Sequence, residues 1–150
     1  MLRDQITDEL KVAMKAKDLA RVGTIRLILA AIKDRDIQQR GDGKDPLGDA
    51  GILDLMQKMI KQRRDSIEAF EKGGRPELAA KEQAEIDIIA SFMPRQLSES
   101  ETEQALGAAI AEAGASGVKD MGRVMALLKE KFAGRMDFGK ASGRLKQLLA

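Results

Sequence analysis

Apolar residues recur along most of this chain at the three-to-four-residue spacing of an α-helix, and the interruptions divide it into seven helical segments. Leu2, Ile6, Leu10, Ala13 and Met14 predict a first helix from Leu2 to Lys17. Asp18 is placed to cap a second, running to about Gln39 with Val22, Ile25, Leu29 and Ile32 inward. Turn-forming residues fill 41–51. A third helix is predicted from about Gly51 to Lys72, with Ile52, Leu55, Met56, Met59, Ile60, Ile67 and Phe70 on its buried side. Gly73-Gly74 supplies its stop, and Pro76 suits the first position of a fourth helix reaching about Phe92 with Ala79, Ile86, Ile89 and Met93 inward.

Pro94 ends that pattern, and Arg95-Gln96-Leu97 is expected as a linker. Ser98 and Glu101 then stand at the spacing of a capping box, which opens a fifth helix that ends at Gly114. Two further helices, about Lys119 to Phe132 and about Phe138 to Leu149, carry the stripes Met121, Val124, Met125, Leu128, Phe132 and Phe138, Ala141, Leu145, Leu148, Leu149. The expected architecture is all-α: an N-terminal helical domain of about four helices over 1–97, and a three-helix module over 98–150.

Composition agrees with a helical fold. Val occurs at four positions, Thr at three, and Tyr and Trp nowhere, whereas Ala, Leu, Lys, Glu, Met and Arg dominate. A chain of 150 residues buries roughly 70% of its unfolded surface on folding, enough for a real core. No repeat long enough for a solenoid is present.

The missing residue types narrow the chemistry. Without Cys there is no disulfide or thiolate metal site, and without His the usual general base and metal ligand are gone. No phosphate-binding Gly-rich loop of the P-loop or dinucleotide kind occurs, nor a Gly-x-Ser-x-Gly elbow. A self-sufficient enzyme is therefore not expected, and neither is a cofactor or a metal. The carboxylate pairs Glu82 with Glu85 and Glu99 with Glu103 read as solvated helix faces. The N-terminus carries an acid at once and no apolar stretch, so it does not read as a signal peptide. The apolar run from Leu27 to Ile32 is far shorter than the roughly 20 residues of a membrane span. A cytoplasmic protein with no membrane partner is expected.

Charge is unevenly distributed although the formal total is only +2. From 98 to 116 there are four acids (Glu99, Glu101, Glu103, Glu112) and no base; from 117 to 150 there are eight bases against three acids. Lys119, Arg123, Lys129, Lys131, Arg135, Lys140 and Arg144 are the candidate nucleic-acid-binding residues. Lys119 and Arg123, then Lys140 and Arg144, repeat an i, i+4 spacing that spreads cations along a helix face as a phosphate backbone requires. With Phe132 and Phe138 on core stripes, no aromatic is left to stack on bases, so any RNA contact would be to backbone and shape. An ordinary solvated face accounts for the same residues equally well. Lys58, Lys61, Arg63, Arg64 and Arg75 read chiefly as a charged face offset by Asp65, Glu68 and Glu71. Gly122, within a predicted helix, is expected to admit close approach of a neighbouring helix, or else of a ligand. Methionines at 56, 59, 93, 121, 125 and 136 raise a third possibility, an adaptor whose surface re-packs against protein partners.

Lys61-Gln62-Arg63-Arg64-Asp65-Ser66, Phe70-Glu71-Lys72-Gly73-Gly74-Arg75, Glu85-Ile86 and Met93-Pro94-Arg95-Gln96-Leu97-Ser98-Glu99 resemble the central signature of the GatB/YqeY family. Gly114-Ala115-Ser116 followed by Lys119-Asp120-Met121-Gly122-Arg123-Val124-Met125 resembles its second signature. Stand-alone proteins of that family are similar to the tail of the GatB subunit of the tRNA-dependent amidotransferase, a carbon–nitrogen ligase with glutamine as amido-N-donor. In that complex the helical tail engages the tRNA body while catalysis lies in other parts. The resemblance implies a non-catalytic tRNA-binding module or accessory factor, with tRNA and an amidotransferase or tRNA synthetase assembly as expected partners.

Overall fold

The computed structural model describes residues 1–150 and contains seven α-helices and no strand. They are α1 (Leu2–Lys15), α2 (Leu19–Gly41), α3 (Asp49–Lys72), α4 (Pro76–Ala90), α5 (Glu99–Ala113), α6 (Met121–Phe132) and α7 (Phe138–Leu149), with a 3-10 turn at Val118–Asp120 leading into α6. The chain forms two compact units, Met1–Met93 and Pro94–Ala150. No helix is long and apolar enough to cross a membrane.

In the first unit α1 packs on α2, and α3 pairs with α4 along its length. Ile6, Ile25, Ile28, Ile52, Met56 and Ile89 are fully buried at its centre. Burying each such side chain contributes roughly 1.5–3 kcal/mol relative to leaving it in water. Ile28 faces the core while Leu29, expected there, is only half-buried. α1 stops at Lys15 rather than Lys17, because Lys17 turns left-handed (φ 57°) and the Asp18 amide returns to the Ala13 carbonyl. The Asp18 carboxylate then accepts the Arg21 amide as a cap for α2. Of the two glycines after α3, Gly74 is left-handed, at φ +70°, and the Arg75 amide reaches the Phe70 carbonyl at 2.8 Å.

Polar contacts tie these helices together. Arg3 grips Asp36 at 2.7 and 3.1 Å and donates to the Leu47 carbonyl, while Asp36 accepts the Leu47 amide. Arg63, only 14% exposed, spans α3 and α4 by donating to Glu85 at 2.9 Å, with Glu82 beside it at 4.0 Å. Arg21 reaches Glu9 and Ser91, and its guanidinium lies 5.2 Å from the centre of the Phe92 ring.

The second unit packs α5, α6 and α7 around Leu106, Val124, Leu128 and Leu145. The Ser98 hydroxyl accepts the Glu101 amide and the Glu101 carboxylate accepts the Ser98 amide, so the capping box is complete. Gly114 ends α5 in the left-handed region at φ 62°. Arg95-Gln96-Leu97 belongs to this unit: the Leu97 amide donates to the Arg135 carbonyl, and the Arg95 carbonyl accepts Nε of Arg135. The contacts therefore separate the units between Met93 and Pro94, whereas the sequence pattern divides them after Leu97. Leu148, expected in the core, is 40% exposed, because Leu145 and Leu149 already fill the inward side of α7. Met136 is buried although it lies in the connection between α6 and α7.

Candidate nucleic-acid interface

The three-helix unit holds all seven candidate cations, and the fold commits them unequally. Arg144 on α7 turns toward α5, where Nε donates to Oε1 of Glu103 at 2.6 Å and a second nitrogen lies 3.4 Å from Oε2. This pairing raises the Arg144 pKa above its ordinary value. Lys131 on α6 is likewise bonded to Glu112 on α5. Arg123 donates at 2.7 Å to Asp120, three residues before it. Arg135 donates to the Arg95 carbonyl at 3.0 Å and stands 5.8 Å from the Phe132 ring centre. Lys119, Lys129, Lys140 and Lys146 are exposed and make no ion pair, and Lys119 lies in the 3-10 turn before α6 rather than on one helix with Arg123 as expected, because α6 begins only at Met121.

The acidic block of α5 is thus paired largely with bases that follow it in the chain. Glu103 faces Arg144, Glu112 faces Lys131, and Glu101 holds Arg95 at 2.8 and 2.9 Å. The Arg95 guanidinium and then the Ser98 backbone amide hold the Glu101 carboxyl down to about 2. The cations that remain free are lysines, each a compact charge on a flexible stem. Lys129 and Lys131 on α6 point about 160° apart around the helix, whereas Lys140 lies within about 40° of Arg144 on α7.

Phe132 and Phe138 pack against the core and leave no exposed aromatic in this unit. Gly122 is exposed, and a Cβ added to it meets nothing within 4 Å. The expected close approach of a neighbouring helix is therefore absent: the outward side of the first turn of α6 is open. Asp120 closes the loop before that turn. Its carboxylate accepts the Ser116 amide at 2.9 Å and the Arg123 guanidinium at 2.7 Å, and these two contacts hold its pKa below the ordinary range.

Of the carboxylate pairs Glu82 with Glu85 and Glu99 with Glu103, three of the four carboxylates stand against an arginine. Glu82 and Glu85 both stand at Arg63, and Glu103 is held by Arg144. No group of three or more acidic side chains converges as a metal site would require. Of the methionines singled out in the sequence, Met56, Met59 and Met136 are buried in the cores and Met93, Met121 and Met125 are half-buried against them, while Met14 on α1 is exposed.

The family described as Yqey-like protein matches residues 3–149 of this sequence. The chain belongs to the YqeY family. Curated relatives carrying this similarity are named altered inheritance of mitochondria protein 41, mitochondrial. The protein of Eremothecium gossypii is 41% identical over 88 residues, which is 59% of this chain and 46% of that relative. The protein of Lachancea thermotolerans is 43% identical over 95 residues, or 63% and 49% respectively. That of Saccharomyces cerevisiae is 42% identical over 85 residues, or 57% and 44%. The matched region thus spans under half the length of these curated relatives.

Several residues in the stretches that resemble the family signatures have local structural duties here. Arg63 clamps α3 to α4, Gly74 and Gly114 take left-handed stops, and Asp120 stitches the α5–α6 connection. Lys119 and Gly122, from the second of those stretches, remain exposed with no such duty.

Proposed function

We propose that the C-terminal unit is a non-catalytic module that holds tRNA by its phosphate backbone, chiefly through Lys119, Lys129 and Lys140. The observation that carries this reading is the division among the cations: arginines and Lys131 are spent on internal partners, while these three lysines stand exposed and unpaired. Phosphate oxygens need point charges rather than base-reading forks, and the lack of exposed aromatics favours contact with backbone over stacking on bases. The resemblance to the amidotransferase tail points to tRNA as the polyanion.

The test is filter retention of bulk tRNA by the full chain across a potassium chloride series. Each phosphate contact should give a log–log slope of roughly 0.7 to 0.9. Changing Lys119 and Lys140 together to Ala should weaken retention of many tRNAs alike and flatten the slope by roughly 1 to 2. Changing Arg123 and Arg144 to Ala should have the smaller effect. A lysine double variant that retains tRNA as tightly as the parent, with unchanged salt dependence, removes the proposal.

A second reading, accessory subunit of a glutamine-dependent amide ligase or of a tRNA synthetase assembly, rests on the same family kinship. Co-purification with such an assembly that survives digestion of tRNA would support it, and loss on digestion would return the association to tRNA binding alone. The relatives' names favour a mitochondrial location over a generic cytoplasmic one. Fractionation of cells carrying the tagged full chain decides between them.

A further inference from the structure

α2 carries apolar residues on its outward side as well as its inward side. Val22, Ile25, Ile28 and Ile32 are buried, yet Leu19 is 82%, Leu27 47% and Ile37 55% exposed. A surface helix normally keeps its outward side polar, and one that is apolar all round is normally covered. Leu19, Gly23, Ala30 and Ile37 fall within about 40° of one another around the helix axis and form one strip. Gly23 and Ala30 are exposed, and a Cβ built on Gly23 meets nothing within 4 Å, so the middle of the strip is shallow. Small residues there let another helix axis come close.

The flanks of the strip differ. On one side Arg26, Lys33 and Arg40 recur every seven residues, all exposed, and Arg26 and Lys33 make no ion pair. On the other lie Leu27 and Asp34, an exposed acid that also makes no ion pair. A seam of apolar residues with a row of one charge beside it at seven-residue spacing is the arrangement by which one helix selects another.

We propose that the outward face of α2 docks an amphipathic helix of a partner protein, one with an apolar seam and a row of acidic residues along its edge. A second copy of this chain satisfies the face poorly. Laid antiparallel about a two-fold axis it sets the basic row against the basic row; laid parallel it offers one acid, Asp34, to three bases. A lipid surface is also a poor occupant, because interfacial helices insert large apolar side chains, and here Gly23, Ala30 and Asp34 occupy or adjoin the centre. Asp34 beside the seam is suited to fix the register of the docked helix. The surface is separate from the tRNA-binding reading and does not depend on it.

The experiment titrates the full chain into two labelled synthetic helical peptides of about 24 residues, matched to the length of α2. One carries Leu on its seam and Glu at every seventh position beside it; its twin carries Lys in place of Glu. The Glu-edged peptide should bind, with amide shift changes concentrated within 19–41, and the Lys-edged twin should bind at least about tenfold more weakly. Ala30→Arg and Lys33→Glu, both at exposed positions, should each weaken the Glu-edged peptide by about tenfold without loss of helical circular dichroism. Lys33→Glu should at the same time improve binding of the Lys-edged twin. The proposal is overturned if neither peptide binds, if both bind alike, or if the shifts map to other helices. Self-association abolished by Ala30→Arg would give the face to a second copy instead, and uptake by phosphatidylserine vesicles lost in the same variant would give it to a membrane.

Discussion

Nε of Arg144 lies 2.6 Å from Oε1 of Glu103, joining α7 to α5 across 41 residues of sequence. The most acidic helix of the chain and one of its most suggestive cations are therefore partners, and the positive potential of the C-terminal third is partly spent within the fold. An exposed pair of this kind contributes little to stability, so its consequence is chiefly electrostatic.

Glu103→Gln should accordingly release Arg144 and raise the affinity for tRNA, while Arg144→Ala alone should lower it only slightly. Retention at two salt concentrations measures both. If Glu103→Gln leaves retention unchanged, Arg144 has no access to the polyanion.

The capping box of α5 predicts a pH dependence of definite sign. The Glu101 carboxyl titrates at about 2 in the folded chain against 4.5 ordinarily, so its stabilising effect is fully present above about 4.5 and is lost as the pH falls toward 2. Glu101→Gln should flatten the acid side of the unfolding curve, and Ser98→Ala should cost about 1 kcal/mol at neutral pH. Denaturant melts of both variants at pH 3 and pH 7 check this.

Ile28→Ala should destabilise the first unit by about 2–5 kcal/mol, since its side chain is fully buried. Leu148→Ala should remain within about 0.5 kcal/mol of the parent, since Leu148 faces water. Chemical denaturation of the two variants distinguishes an inward from an outward apolar position.

Gly122→Ala should stabilise the second unit by less than the roughly 0.5–1 kcal/mol of a helix interior, since Gly122 lies in the first turn of α6 and the added methyl meets open space. A lower melting temperature would show that something does approach this turn.

Local chemistry made much of this fold legible. Asp18, Pro76, the Ser98–Glu101 box and Gly114 act through neighbours a few residues away, and each stands where the sequence placed it. Neighbouring apolar residues were harder to separate. Ile28 and Leu29 differ by about 100° around α2, and only the helices packed on it decide which turns inward. Leu148 and Leu149 posed the same ambiguity at the end of α7. The candidate interface was the least legible part. Its cations are evident in the sequence, but whether each is free depends on acids such as Glu103, Glu112 and Asp120, and two of these three lie far away along the chain.

Asp120 gives the connection between α5 and α6 a property its composition would not suggest. A protease must draw several consecutive residues into an extended strand before it can cut, and Lys119 offers trypsin a side chain in full view. One carboxylate holds the Ser116 amide and the Arg123 guanidinium on either side of that bond. Asp120→Ala should therefore make limited trypsin digestion cut after Lys119 faster than it does in the parent chain.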